Sequence, residues 1–258
     1  MSHHTPQFAV DLARSQHDIR SAQHLRYRVF VQELGGGGDL VDDDSQLERD
    51  RFDDHAAHLL LRDLTRPDDD QVVGVYRIMT QDHADSAGQF YCADEFDLSI
   101  LTCSNKRLLE LGRSCLHADY RGGAGMMYLW SGLSDYVAAH KIDVMFGAAS
   151  FHGTDTTALA GPLSLLYHRH LAPPALRVTA RGPATVPLNV VPEIEIDRIA
   201  AMRDTPSLIK AYLRLGGCVG DRAYVDHTFN TTDVCMILAA DAVSSLQRGI
   251  YSRGPGRG

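Results

Sequence analysis

Residues 107–149 read RLLELGRSCLHADYRGGAGMMYLWSGLSDYVAAHKIDVMFGAA, and this stretch decides the fold class. Arg107 to Leu116 reads as a strand, and the continuous apolar run Val144 to Ala149 reads as a buried one. Between them, Gly123 to His140 carries Met126, Met127, Leu129, Trp130, Leu133, Tyr136 and Val137 and reads as a helix. Strand, helix and strand at this spacing form a βαβ unit, whose crossover is usually right-handed.

Outward from this unit the pattern stays mixed α/β. Phe8 to Leu12 alternates weakly, as a first strand does. His17 to Leu34 places Ile19, Ala22, Leu25, Val29 and Phe30 at helical spacing, and Gly35 to Gly38 ends the helix. Asp39 to Arg51 reads as an acidic loop. Ala56 to Leu61 and Val72 to Met79 flank the turn residues 66–70 and predict an antiparallel hairpin. Phe90 to Ile100 reads as a short helix and loop. Asp155 to Arg169 predicts a helix closed by Pro173 and Pro174, and Pro183 to Val191 a loop. Pro206 to Leu215 predicts a helix stopped by Gly216, and Cys218 to Val225 and Asp233 to Ala239 late strands. With no repeat or linker, the expectation is one domain over 1–258, with a core of about 8–240 and a flexible tail over 241–258.

A chain of 258 residues, 44% hydrophobic and 22% charged, suits a soluble globular protein. No apolar run reaches the roughly 18 residues of a membrane span, and Met1 to Asp11 lacks a secretory pattern. A cytoplasmic location is expected, with peripheral contact at the inner membrane left open. Net charge of −8 argues against a nucleic-acid partner. The tail holds Arg248, Arg253 and Arg257, fewer than the cluster of about four to eight that marks lipid binding. Five cysteines without a C-x-x-C fit a reducing compartment, each as a small buried hydrophobe. The histidine pairs His55/His58 and His168/His170 lack further ligands at a zinc spacing, so no metal is expected.

Four polar groups fall at or inside these elements: Arg26 and Arg28, Asp50 and Asp53, Arg77, and Glu110 with Arg113. An unpaired charge inside a strand is costly, so these side chains have partners or a function. An ion pair such as Arg77 with Glu110 is one reading; a polar site with Glu110 as general base is the other. In a partly dry cleft a carboxylate's pKa rises toward neutrality, where a base works best. Residues 110 and 113 face opposite sides of a regular strand, and Gly112 could mark a bulge that turns both to one cleft. Asp119 to Gly125, DYRGGAG, is a glycine-rich turn at a helix start, suited either to a tight turn or to a phosphate. Ser114 and Cys115 are better read as packing than as nucleophiles.

Taken together, these segments resemble the ornithine-lipid N-acyltransferases of the GNAT superfamily, relatives of the acyl-homoserine lactone synthases. The resemblance rests on RYRVFVQELG at 26–35, DRFDDHAAHL at 50–59, VGVYR at 73–77, LELGRSC at 109–115 and DYRGG at 119–123. It extends through LWSGL at 129–133, GAASFHGTD at 147–155, LIKAYLRLGG at 208–217 and DHTFNTTDV at 226–234, almost the whole chain. It implies a GNAT-like α/β fold, a mixed central sheet flanked by helices with an elaborated C-terminal part. It implies transfer of a 3-hydroxyacyl chain from acyl carrier protein to the α-amino group of ornithine. No cofactor is implied beyond the phosphopantetheine on that carrier.

By the same resemblance Glu110 is the base. Arg77 and Arg113 shape the substrate pocket, Asp50 and Asp53 hold the cationic amino acid, and Arg26 and Phe30 order the N-terminal helix. Arg121, Gly122 and Gly123 meet the phosphopantetheine phosphate. The turn departs from the usual [RQ]-x-x-G-x-[GA] at Ala124 and Met126, which a donor presenting one phosphate tolerates. Acyl transfer to another amino acid such as glutamine, lactone synthesis, and a non-catalytic acyl-binding module are the alternatives.

Overall fold

The computed structural model of the chain describes residues 5–38 and 41–240. Residues 241–258, expected as a flexible tail, lie outside the described residues. The strands in chain order are β1 (Phe8–Leu12), β2 (Val41–Asp42), β3 (Leu47–Glu48), β4 (Ala57–Asp63), β5 (Val72–Thr80) and β6 (Phe96–Asp97). They continue with β7 (Leu108–Leu116), β8 (Val144–His152), β9 (Thr179–Ala180), β10 (Thr185–Pro187), β11 (Cys218–Asp226) and β12 (Thr231–Ala239). The α-helices are α1 (Gln16–Arg26), α2 (Gln81–Ala87), α3 (Ser99–Thr102), α4 (Gly125–His140), α5 (Ala160–His170), α6 (Arg198–Asp204) and α7 (Ser207–Arg214). Two compact units result. One takes the described residues of Met1–Phe90 and Leu111–His140, the other those of Tyr91–Glu110 and Lys141–Gly258.

In the first unit β4 pairs antiparallel with β1 and with β5, as the hairpin pattern predicts. Side chains alternate across β4, so it packs on both faces. Leu60 joins Ala22, Leu25 and Val29 of the N-terminal helical segment, together with Val75 and Cys115. Leu59 and Leu61 face the other way, toward α4, where β-carbons built at Gly132 and Gly125 would lie 3.5 and 3.4 Å from them. At Gly132 such a β-carbon would also lie 2.4 Å from Cγ1 of Val10, so the glycine lets α4 sit against β1. Ser15 and Asp18 close a capping box that starts α1. The predicted helix 17–34 changes character at Tyr27, where Tyr27–Glu33 winds as a π-helix before Gly35, at φ 73°, ends it.

In the second unit Leu108–Glu110 of β7 pairs in parallel with Val144–Phe146 of β8. This is the parallel pairing that the βαβ reading requires. Strand β8 pairs antiparallel with β12, β12 with β11, and β11 with β10. Helix α5 buries Leu163, Leu165 and Leu166, and its Ser164 hydroxyl donates to the Leu188 carbonyl at 2.8 Å. Gly220 is required where it stands: a β-carbon there would lie 2.4 Å from the Val178 carbonyl oxygen.

Four sequence readings are corrected. Asp39 to Arg51 reads as loop in the sequence, but within it β2 and β3 form a hairpin, with Gln46 at φ 54° in its turn. The helix read from Asp155 begins at Ala160, because the Asp155 carboxylate accepts from the Thr157 and Ala158 amides and holds a turn instead. The loop read over Pro183 to Val191 contains β10, whose short pairing with β11 leaves little periodicity to detect. Of the cysteines, Cys92, Cys115 and Cys235 are buried, but Cys103 is exposed and Cys218 is half-buried.

Candidate functional site

The first unit gathers five of the expected site residues into one charge network. Arg26, fully buried in the last turn of α1, donates from Nη1 and Nη2 to the two Asp53 carboxylate oxygens at 2.8 and 2.9 Å. Its Nε donates to Glu48, and Nη2 reaches the Glu48 carbonyl at 2.7 Å. Arg77, from the centre of β5, donates from Nη1 to Asp50 and, at 2.8 Å, to Asp53. Arg113, from β7, places Nη2 3.1 Å from Asp50 and Nε 3.0 Å from Glu48. Gln23 donates to Asp53 at 2.9 Å, and His58 Nε2 lies 3.0 Å from the Asp53 carbonyl. Three guanidinium groups thus meet three carboxylates, and the charges balance.

Burial alone would raise the carboxyl pKa of Asp53, but Arg26 and Arg77 outweigh it and hold the group well below the usual carboxylate range. Asp50 is held low in the same way, burial being overcome by Arg77 and Arg113. For Arg26 burial acts downward, and Glu48 and Asp53 more than compensate, so its pKa is raised. His58 is depressed chiefly by burial, so its imidazole is neutral at pH 7.

Asp50 and Asp53 therefore spend their charge on arginines, and an acceptor ammonium reaching them competes with a guanidinium. Phe30 packs partly buried against the Ala22–Leu25–Val29 cluster. The irregularity that Gly112 suggested falls one residue later: Arg113 itself has φ 48°, inside a strand.

The glycine turn lies between β7 and α4. Gly122 has φ 74°, a conformation that glycine adopts at no cost. Gly123 needs no such freedom, and Gly125 lets the first turn of α4 pass close to the Tyr120 carbonyl. Arg121 donates from Nε to the Leu116 carbonyl at 3.0 Å and pairs through Nη2 with Glu33 at 2.7 Å, both side chains well exposed. The positive end of the 16-residue α4 follows at once. Cys115 is buried, which pushes its thiol up to about 12 and makes it a poor nucleophile.

Glu110 belongs to the second unit. Its Oε2 accepts from the Tyr91 amide and its Oε1 from the Cys92 amide, each at 2.7 Å. One group of carboxylates among the described residues has the closeness a cation site needs. Glu95, Asp226 and Asp233 bring oxygens within 4.8 Å of one another. Neither Glu48 nor the Tyr91–Cys92 amides were expected from the sequence. Glu48 stood inside a stretch read as loop, and backbone donors carry no residue signature.

The chain matches the acetyltransferase (GNAT) domain family model over residues 25–131. It is 51% identical over 248 residues to an L-ornithine N(alpha)-acyltransferase of Rhodobacter capsulatus, covering 95% of each chain. It is 42% identical to an L-ornithine N(alpha)-acyltransferase of Brucella abortus, covering 94% of this chain and 88% of that one. Among solved structures it is similar to a CoA-dependent acyl-homoserine lactone synthase with SAM and isopentyl-CoA. There the TM-score is 0.54 at 13% identity, over 95% of this chain and 90% of that one. That likeness bears on the fold alone, and the fold is the GNAT-like α/β arrangement expected from the sequence.

Proposed function

The chain belongs to the family of L-ornithine N(alpha)-acyltransferases, and on that premise we propose that it joins a 3-hydroxyacyl chain from acyl carrier protein to the α-amino group of L-ornithine, giving lyso-ornithine lipid. The observation that carries this reading is identity of 51% across 95% of both chains.

The thioester donor is already activated, so the protein's task is to hold the amine nitrogen about 3 Å from the carbonyl carbon. Glu110 takes a proton from the α-ammonium. The nitrogen attacks, the C–N bond forms and the C–S bond breaks. The phosphopantetheine thiolate leaves and is reprotonated, and a second nitrogen proton is lost. The support for Glu110 is geometric: two amide donors, from Tyr91 and Cys92, fix its carboxylate in place. Backbone N–H groups stabilise the oxyanion. No covalent enzyme intermediate is needed, in keeping with the high pKa of Cys115.

Gly122, Gly123 and the start of α4 receive the phosphopantetheine phosphate, and Arg121 joins them by exchanging its exposed Glu33 partner for it. Arg77 and Arg113 face the acceptor carboxylate, and Asp50 and Asp53 its ammonium, by exchange within the balanced network. Arg26 and Phe30 order the N-terminal helix beside them. Among the described residues no helix is long and apolar enough to cross a membrane.

The test is an assay of the purified protein with 3-hydroxyacyl carrier protein and a panel of amino acids, read by mass spectrometry. An ornithine adduct is expected. A glutamine-only adduct would reassign the acceptor, homoserine lactone from S-adenosylmethionine would reassign the reaction, and carrier binding without turnover would point to an acyl-binding module.

A further inference from the structure

Arg113 is the residue that breaks the regularity of β7. Among the described residues four besides glycine have positive φ: Gln46, Arg113, Lys141 and Asn230. Gln46 lies in the β2–β3 turn, Lys141 follows the end of α4, and Asn230 lies between β11 and β12. Arg113 alone of these stands within a strand, where a side chain with a β-carbon adopts the left-handed region only when its surroundings impose it.

Those surroundings include two carboxylates delivered by the β3 end and the segment after it. Glu48 is fully buried, its backbone is paired with Val41, and its carbonyl is held by Arg26 at 2.7 Å. Its carboxylate is therefore a fixed anchor, with one oxygen on Arg26 Nε and the other 3.0 Å from Arg113 Nε. Asp50 accepts from Nη2 of the same guanidinium at 3.1 Å. We propose that Glu48 is a positioning residue for acyl transfer: by anchoring the Arg113 guanidinium it keeps β7 in its left-handed kink at that residue. Glu48 acts through Arg113 and touches no substrate. The functional half of this proposal rests on the acyltransfer reading above; the structural half does not.

The test is a double-mutant cycle of Glu48 with Arg113, assayed with ornithine and read as kcat and KM separately. Glu48→Gln keeps the shape and removes the charge. Glu48→Asp keeps the charge but shortens the reach, so it preserves neutrality if the glutamine variant does not fold. A misplaced reacting geometry costs up to about 10²-fold. In the folded variant kcat should fall about 10- to 100-fold, and the ornithine KM should rise with it, because the displaced Arg113 faces the acceptor carboxylate. Adding Arg113→Gln should lower kcat by less than about twofold more, since both changes break one link. A crystal structure of the Glu48 variant should show residue 113 returned to extended φ. Wild-type kcat, an ornithine KM that rises tenfold with kcat unchanged, or fully additive effects would each overturn the proposal. Failure of wild-type protein to acylate ornithine would remove the reading above, and the crystal structure would then decide on the anchor. A Glu48 variant with residue 113 still at positive φ overturns it.

Discussion

Replacing Asp53 with asparagine should destabilise the protein by about 3–5 kcal/mol, because it unbalances a buried network. The aspartate is 2% exposed. Its Oδ1 accepts from Arg26 and Arg77 at 2.8 Å, and its Oδ2 from Arg26 and Gln23 at 2.9 Å. Asparagine keeps one acceptor oxygen. Its amide nitrogen then faces two donors in place of the second oxygen, so two hydrogen bonds are lost, one of them to a guanidinium. A bond to a charged group contributes about 1.5–3 kcal/mol and a neutral one about 0.5–1.5 kcal/mol. The uncompensated positive charge left among three guanidinium groups supplies the rest. Urea unfolding followed by circular dichroism at pH 7 measures the difference, with an unchanged m-value expected. For a chain of this size the loss corresponds to about 6–20 °C in Tm. A cost below about 1 kcal/mol would refute the reasoning, since it would mean that water and not the carboxylate neutralises Arg26 and Arg77.

Three further outcomes are expected. Glu110→Gln should lower kcat by about 10²–10⁴-fold in the ornithine assay, the size of a lost general base; turnover near wild type would remove Glu110 from the proton transfer. Because burial depresses the folded pKa of His58 below its ordinary 6.5, only the unfolded chain takes up the proton between those values. Stability from this group is complete above about pH 6.5 and declines as pH falls toward the folded pKa. Tm measured from pH 7.5 to 5 should therefore fall less steeply in His58→Gln than in wild type. Native alkylation with iodoacetamide, mapped by mass spectrometry, should modify exposed Cys103 first and spare buried Cys92, Cys115 and Cys235; early modification of Cys115 would contradict its raised pKa.

The fold was legible where local pattern and tertiary environment agree. Val144 to Ala149 is apolar throughout because β8 lies between two strands, and the hairpin of β4 and β5 is marked by its polar turn. It was illegible where a single side chain redirects the backbone. Asp155 reads as a helix start from its position, yet its carboxylate captures two amides and delays α5 by five residues. The π-helix after Arg26 leaves the helical spacing of Val29 and Phe30 intact, so periodicity cannot reveal it.

At the site, residue type identified the arginines, but their partners required an argument about charge. Arg26, Arg77 and Arg113 stood out as cations inside regular elements, and Asp50 and Asp53 as the nearest carboxylates in the pattern. A buried cluster with three positive charges and two negative ones would leave a guanidinium uncompensated, which is far costlier than a balanced set. Neutrality therefore asks for a third carboxylate, for which the sequence offers Glu110 as well as the acids around Asp50. The structure supplies it two residues before Asp50, as Glu48 on the last residue of β3. The acidic residues in and just after the stretch that reads as a loop thus divide in two. Asp43 and Asp44 lie exposed in the hairpin turn, and Glu48, Asp50 and Asp53 beyond it, their side chains buried because the arginines that need them are buried. A carboxylate next to predicted strand-interior arginines is better assigned by counting charge than by the polarity of its own neighbours.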